Sequence, residues 1–146
     1  MMLREIAIKD VLVLFDVRTS VRENIYTREG LYRDGITEKA VAEMIGSTHR
    51  GWLCEVDSKI VGFAMANGAT GEFWDIAVLP EYERRGIGSK LLRLAEDWLG
   101  TMGWKELWLW TSLDTSLRAY SFYRKAGWID AEIRADQRIM KKFLQG

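Results

Sequence analysis

The sequence predicts one α/β (α+β) domain over residues 1–146, a mixed, mostly antiparallel sheet of six to seven strands flanked by about four helices. Three observations predict it. Apolar stretches separated by turn pairs give three successive strands, Gly51 to Val56, Lys59 to Ala66 and Glu72 to Leu79, with no helix between them. An amphipathic helical stretch then leads to another strand, Lys105 to Thr111, over the length of a βαβ crossover, so the strands on either side of it should be parallel. Finally, 146 residues that are 48% hydrophobic and 29% charged suit a single core and hardly two.

Each element has a local reason. Leu3 to Ile8 is short and apolar and reads as the first strand. Asp10 stands where an N-cap would open a helix to about Val21, with Val11, Leu14, Phe15 and Arg18 at helical spacing. Residues 24–35 are mixed and polar, either a short helix or a loop. Thr37 is a second N-cap, Val41, Met44 and Ile45 form a stripe, and Gly46 ends that helix. Asp57-Ser58 is the turn of a hairpin, and Asn67 to Gly71 is the next turn. Ser89 to Leu99 is the clearest helix, with Leu91, Leu92, Ala95, Trp98 and Leu99 on one face and Gly100 as its expected stop. In the strand after it, Leu107 and Leu109 alternate with Trp108 and Trp110. Thr115 to Lys125 is a helix ended by Gly127. Trp128-Ile129 begins another strand, and Arg138 to Leu144 is the last.

Bulk properties narrow the functional classes. Lys plus Arg and Asp plus Glu number 21 each, a balance that carries no electrostatic footprint of nucleic acid or of an anionic membrane. One cysteine, Cys54, makes no internal disulfide and suits a reducing compartment. The first residues lack the basic segment and apolar stretch of a secretory leader. The early apolar run Val11 to Phe15 is far short of the ~20 residues that span a bilayer. The expectation is a cytoplasmic protein with neither nucleic acid nor membrane as partner. No His, Cys, Asp or Glu cluster has metal-ligand spacing, so no metal is expected.

The informative segment runs from Ile76 to Leu92: a strand ends at Val78-Leu79-Pro80, a basic turn Arg84-Arg85 follows, and Gly86-Ile87-Gly88 opens a helix. Glycine permits unusual dihedrals and close approach of a ligand. A helix N-terminus offers unpaired N–H groups and partial positive charge, together a cradle for phosphate. The P-loop spacing is absent, and the third small residue of the dinucleotide fingerprint is replaced by Leu91. On its own the Gly-x-Gly pair is equally consistent with a tight strand-to-helix turn.

The surroundings decide. Val78-Leu79-Pro80 followed by Glu83-Arg84-Arg85-Gly86-Ile87-Gly88 resembles the GNAT superfamily hallmark, Gln/Arg-x-x-Gly-x-Gly/Ala. Ser116 to Trp128 resembles a second family landmark, Asn-x-x-Ala-x-x-x-Tyr-x-x-x-Gly-Phe, at the expected distance and in the expected element order. The resemblance covers the chain from about Gly51 onward. Three positions depart from the pattern: Glu83 for Gln or Arg, Ser116 for Asn, and Trp128 for Phe. A carboxylate beside a diphosphate is unfavourable, so the Glu83 side chain is expected to point away.

The resemblance implies an acetyl-CoA-dependent N-acetyltransferase that releases CoA and acetylates a primary amine of a small molecule or a protein. It implies that main-chain N–H groups from Arg84, Arg85, Gly86, Ile87, Gly88 and Ser89 hold the diphosphate, with Ser116 adding a hydroxyl. The backbone of Ile76, Ala77 and Val78 would pair with the pantetheine arm, one N–H polarising the thioester carbonyl. Tyr123 matches the tyrosine that protonates the leaving thiolate, with Tyr120 one turn earlier as the fallback. Glu72, at the start of the same strand, is the candidate base. Asp75 is a second candidate, placed by simple alternation on the opposite face from Glu72 and Trp74. Arg18, Arg22, Glu23, Tyr26 and Tyr32 are candidates to shape the acceptor site. His49 reads as structural or solvent-exposed and Cys54 as core; core packing is the reading for Trp108 and Trp110, with lining of the acceptor groove as the alternative. A homodimer is a family-level expectation. The departures at Glu83 and Ser116 leave one alternative, a GNAT-fold module that binds acetyl-CoA or CoA as a sensor without turnover.

Overall fold

Turn chemistry builds the sheet as a meander. In the computed structural model, which describes residues 1–21 and 27–145, strand β1 (Met2–Glu5) pairs antiparallel with β2 (His49–Val56), and β2 with β3 (Lys59–Asn67). Asp57 and Ser58 both take positive φ, 51° and 64°, the signature of a tight hairpin turn whose twist matches its strands. β3 pairs antiparallel with β4 (Glu72–Val78), and β4 meets β5 (Glu106–Thr111) in parallel, as the crossover length requires. β6 (Ile129–Arg134) and β7 (Gln137–Phe143) complete a seven-stranded sheet in the order β1-β2-β3-β4-β5-β7-β6.

Helices cover both faces. α1 (Val11–Arg18), α2 (Arg28–Arg33) and α3 (Glu38–Ile45) lie on one side; α4 (Ile87–Thr101) and α5 (Arg118–Lys125) lie on the other. The apolar stripe of α4 buries Leu91, Leu92, Ala95 and Leu99. Thr37 caps α3 through Oγ1, which accepts from the Ala40 N–H at 3.1 Å. Thr27 caps α2 in the same way from Gly30. Among the described residues, no helix is long and apolar enough to cross a membrane.

Four elements differ from the sequence reading. The mixed stretch after residue 24, left open as a short helix or a loop, contains a helix, α2, which makes five α-helices among the described residues. β1 stops at Glu5 and a 3-10 turn, Ile8–Asp10, precedes α1, which ends at Arg18 rather than near Val21. Asp10 does not cap α1. Its carboxylate turns back, accepting from the Ala7 N–H at 2.7 Å and from both terminal nitrogens of Arg4 at 2.9 Å. That guanidinium holds the Asp10 carboxyl below the usual carboxylate range. α4 runs through Gly100, and the left-handed residue that follows it is Gly103, φ 100°. Gly100 is small for another reason: a Cβ there would lie 3.3 Å from Leu144. α5 begins at Arg118 rather than Thr115, because Asp114 folds the preceding residues into a turn. Its Oδ1 accepts from the Ser116 N–H at 2.9 Å and from the Ser116 hydroxyl at 2.6 Å.

The core also explains one departure from the family pattern. Trp128 is fully buried, and its indole N–H donates to Glu96 Oε2 at 2.9 Å. Glu96, 8% exposed, takes Lys142 Nζ on its other oxygen at 2.8 Å, and Lys142 also donates to the Ala126 carbonyl at 2.7 Å. A phenylalanine needs no such acceptor; the larger indole brings a polar atom inside and requires one. Glu96→Ala strands both donors and should destabilise the protein by about 2–3 kcal/mol, measured by urea unfolding at neutral pH. A change below about 0.5 kcal/mol, the range of ordinary surface substitutions, would show that water replaces the carboxylate without penalty.

Candidate active site

The sheet opens where the two landmark segments meet. β4 and β5 share a single registered pair, Glu72 opposite Trp108, and then part. The turn before β4 is gripped from the β5 side: Trp104 Nε1 donates to the Gly68 carbonyl at 2.7 Å, and Trp108 Nε1 to the Thr70 carbonyl at 3.1 Å. Gly71, φ 79°, has no room for a side chain, since a Cβ would sit 2.9 Å from the Trp104 ring. Beyond that clamp, β4 runs on toward Val78 with no strand on its β5 side. Leu79 N–H donates to Val61 on β3, so by alternation the main-chain groups of Ile76 and Val78 point the other way, into the gap.

The gap is a groove of about 300 Å3. Ile76, Ala77 and Val78 form one wall, Leu117 with Ala119 and Phe122 of α5 the other, and Gly86, Gly88 and Ser89 at the start of α4 close its end. Gly86 takes φ 78° as the N-cap of α4, a left-handed position that glycine adopts without penalty. Nothing lies within 4 Å of where its Cβ would be, so this corner is open to an incoming group. The first-turn N–H groups and the positive end of a fifteen-residue helix therefore face a concave, unobstructed space. Ile87 buries its side chain in the core, leaving only its main chain at the turn. Arg84 and Arg85 stand at the exposed lip; Arg84 has φ 64°, and the Arg85 guanidinium lies 4.9 Å from the Tyr82 ring centroid.

The two departures in the motif are placed differently from each other. Glu83 does not point away. It lines the groove and forms an ion pair with Arg118 of α5, which also lines it. The carboxylate is thereby balanced by a cation supplied from the facing wall. Ser116 sits on the exposed turn before α5, where its hydroxyl donates to Asp114.

Tyr123 lies beneath the α5 wall, 7% exposed, on the side that meets β4. Its ring centroid is 6.2 Å from those of Phe73 and Trp128 and 5.4 Å from that of Phe122, which lines the groove. Tyr120 is the more exposed of the two tyrosines, and its hydroxyl is 3.0 Å from Asp130 Oδ2. Glu72 stands at the apex, where β4 and β5 part. Burial pushes its carboxyl up to about 7.

Sequence alternation misplaced Asp75. In the β3–β4 ladder Met65 opposes Asp75 and Ala66 opposes Phe73, leaving Trp74 as the extra residue of a β-bulge. Trp74 and Asp75 therefore both face the α1–α3 side. Asp75 Oδ1 accepts from Arg18 at 2.8 Å and from the Ile76 N–H at 2.9 Å, and Arg18 also donates to the Ile76 carbonyl at 2.9 Å. Burial raises the Asp75 carboxyl while the Arg18 guanidinium opposes the rise. Both main-chain groups of Ile76 are thus held by this ion pair.

Trp74 and Asp75 line a second cavity, of about 140 Å3, between the sheet and the early helices. Leu14 and Phe15 of α1, Leu31 of α2, Val41 of α3 and Phe63 and Met65 of β3 form most of its wall, with Ile36. Arg18 lines this cavity and the groove alike. Of the other residues expected at the acceptor side, Tyr32 is exposed, its ring 6.2 Å from Phe15, while Arg22, Glu23 and Tyr26 lie outside the described residues. Trp108 and Trp110 are half-buried and stack edge to face at 6.1 Å, opposite the buried Leu107 and Leu109, so they are not the core residues that composition suggests. His49 opens β2 with its ring 5.1 Å from Trp74, and burial lowers its imidazole pKa. Sequence reasoning missed Arg118 and Phe122 as groove residues, although their spacing along the second landmark, four residues apart on one helix face, was the available signal.

The model of the acetyltransferase (GNAT) family matches residues 15–128. No curated protein matches the sequence. Solved structures share the fold at low identity. PaiA N-acetyltransferase from Thermoplasma acidophilum, in complex with coenzyme A, has a TM-score of 0.83 at 23% identity, covering 98% of this chain and 99% of that one. A ribosomal-protein alanine N-acetyltransferase from Escherichia coli has 0.77 at 20%, covering 99% and 94%. A spermidine N-acetyltransferase from Vibrio cholerae has 0.70 at 17%, covering 98% and 95%. With a family model spanning most of the chain and a seven-stranded sheet parted beside a glycine-opened helix, the chain belongs to the GNAT family of N-acetyltransferases, which use acetyl-CoA.

Proposed function

We propose that this chain transfers an acetyl group from acetyl-CoA to the nitrogen of a primary amine, at the apex of the gap between β4 and β5. The observation that carries this reading is the gap itself, open along β4 and closed at its end by the N-terminus of α4. The residues suit the cofactor. The first-turn amides of α4 from Gly86 to Ser89 would bind its diphosphate. The edge of β4 at Ile76, Ala77 and Val78 would orient its amide-bearing arm as an added strand. The Glu83–Arg118 pair leaves the groove without a bare carboxylate. Bound there, acetyl-CoA supplies an activated acyl group as a thioester.

The chain's own groups then have separate tasks. Glu72 accepts the proton that an alkylammonium must lose before its nitrogen attacks. An unperturbed amine has a pKa near ~10, so a base is needed at neutral pH. A carboxyl raised to about 7 by burial is better matched to that transfer than an ordinary one. Tyr123, held under the α5 wall by Phe73 and Trp128, is the proton donor to the leaving sulfur. The buried aromatic setting keeps water from competing. Free-thiol release over a panel of amines, beside calorimetry with acetyl-CoA, tests the whole reading. Cofactor binding without thiol release on any amine would favour the sensor alternative.

Two outcomes distinguish the roles. Tyr123→Phe should lower kcat by about 100-fold or more with the CoA dissociation constant nearly unchanged; equal losses in both would assign the tyrosine to packing. Glu72→Gln should lower kcat and abolish the rise of wild-type activity with pH through about 7. The same shift has a stability consequence. A carboxyl raised by folding contributes stability below its unfolded value, and that contribution is lost as pH rises through its folded value. Wild type should therefore lose stability relative to Glu72→Gln between about 4.5 and 7. Parallel pH profiles of activity and unfolding for the two proteins would remove Glu72 from the mechanism.

A further inference from the structure

We infer that the acceptor is a primary amine carried by a compact apolar group, aromatic or branched aliphatic, and that the cavity between α1, α3 and the β3–β4 strands seats that group. The inference rests on the acetyl-transfer reading above and goes beyond it by naming the substrate class.

Three observations converge. The first is the wall: Leu14, Phe15, Val41, Phe63, Met65 and Trp74 enclose a space of about 140 Å3, which suits one ring or a branched chain. Each methylene buried there strengthens binding about fourfold, and an ethylamine-sized group leaves the space unfilled.

The second is charge. Among the described lining residues Asp75 is the sole carboxylate and Arg18 the sole cation, and they face each other at 2.8 Å. The β-bulge at Trp74 aims Asp75 here; regular alternation would have turned it to the other face. Around the helices that form the cavity, Arg28 pairs with Asp16 and Glu38, and the Tyr32 hydroxyl donates to Glu38 at 2.8 Å. Those acids are already engaged, as Asp75 is by Arg18. The described lining is therefore balanced in charge and offers no succession of carboxylates for a polyamine or for an amino sugar with several ammonium groups. An extra ammonium among these apolar residues would be buried unpaired.

The third is continuity. Arg18 lines the cavity and the cofactor groove, and it donates to the carbonyl of Ile76, on the strand that walls the groove. A ligand whose apolar group lies under α1 and α3 thus has its amine end on the Arg18 side, one side chain from the groove, and Glu72 remains the group that takes the proton.

The test uses the full chain loaded with CoA for binding, and with acetyl-CoA for thiol release. The probes are phenethylamine, isoamylamine, ethylamine and spermidine. Phenethylamine and isoamylamine should bind by calorimetry at least tenfold more tightly than ethylamine or spermidine, and their kcat/KM should lead by a similar factor. Ile36→Asp, which adds a carboxylate to the half-buried edge of the cavity, should narrow the ratio of phenethylamine to spermidine at least tenfold. Spermidine binding or reacting as well as phenethylamine would overturn the inference, and so would a failure of either apolar amine to bind better than ethylamine. Selective binding of the apolar amines without thiol release would support the cavity's ligand class and overturn the transferase reading instead. Thiol release led by spermidine would do the reverse.

Discussion

The site depends on a missing strand contact. β4 and β5 are joined at one residue pair and nowhere beyond it, so the edge of a central strand faces a groove instead of a neighbour. Central strands do not ordinarily leave their polar groups unclaimed, because such groups lose water without gaining a partner. Here the exposure is held in place. Trp104 and Trp108 clamp the turn that starts β4, and α4 packs across β3 and β4 from beneath. A gap with this geometry fits an extended ligand carrying its own amides better than it fits a compact one.

Electrostatics within the gap are arranged in pairs. A lone carboxylate in the groove would repel a bound phosphate and oppose the attraction of the helix N-terminus. Arg118 from the facing helix removes the conflict, and this is why an acid is tolerated at a position where the family pattern carries Gln or Arg. Deeper in the fold, Arg18 and Asp75 form the corresponding pair on the other side of β4. Because they hold both main-chain groups of Ile76, a ligand arm aligning on β4 meets Val78 as the nearer free-facing residue of the strand and exchanges partners at Ile76. Glu72, where β4 and β5 part, has its carboxyl raised by burial.

Much of this was legible in the residues because it follows from local rules. Asp57-Ser58 and Thr37 act through their own backbones, and the hairpin and the α3 cap lie where those rules put them. Gly86 and Gly88 are readable for the same reason, since a strand, a left-handed glycine and an amphipathic helix are adjacent in the chain. What was not legible depends on partners distant in sequence or on one-residue irregularities. A bulge at Trp74 inverts alternation for every later residue, and no composition signal marks it. Gly100 looks like a stop, but its smallness serves Leu144, more than forty positions away. Thr115 looks like a helix start, yet Asp114 captures the next two residues into a turn. The fold was therefore readable almost throughout, the glycine turn in its backbone but not in the direction of Glu83, and the cavity beneath the early helices only in outline, since it is assembled from α1, α3 and a strand whose register had to be seen.

The central claim is that the left-handed corner at Gly86 receives the cofactor's diphosphate, and a matched pair of substitutions measures it most directly. Asparagine tolerates φ near 78° and adds no charge, whereas glutamate brings both a disfavoured conformation and a negative charge to an open corner. Calorimetry with CoA should find Gly86→Asn close to wild type and Gly86→Glu weaker by about a hundredfold, a difference near 2.7 kcal/mol, with all three proteins unfolding cooperatively at similar temperatures. Unchanged CoA affinity in a folded Gly86→Glu protein would contradict the assignment of this corner and, with it, the chemistry built on the gap.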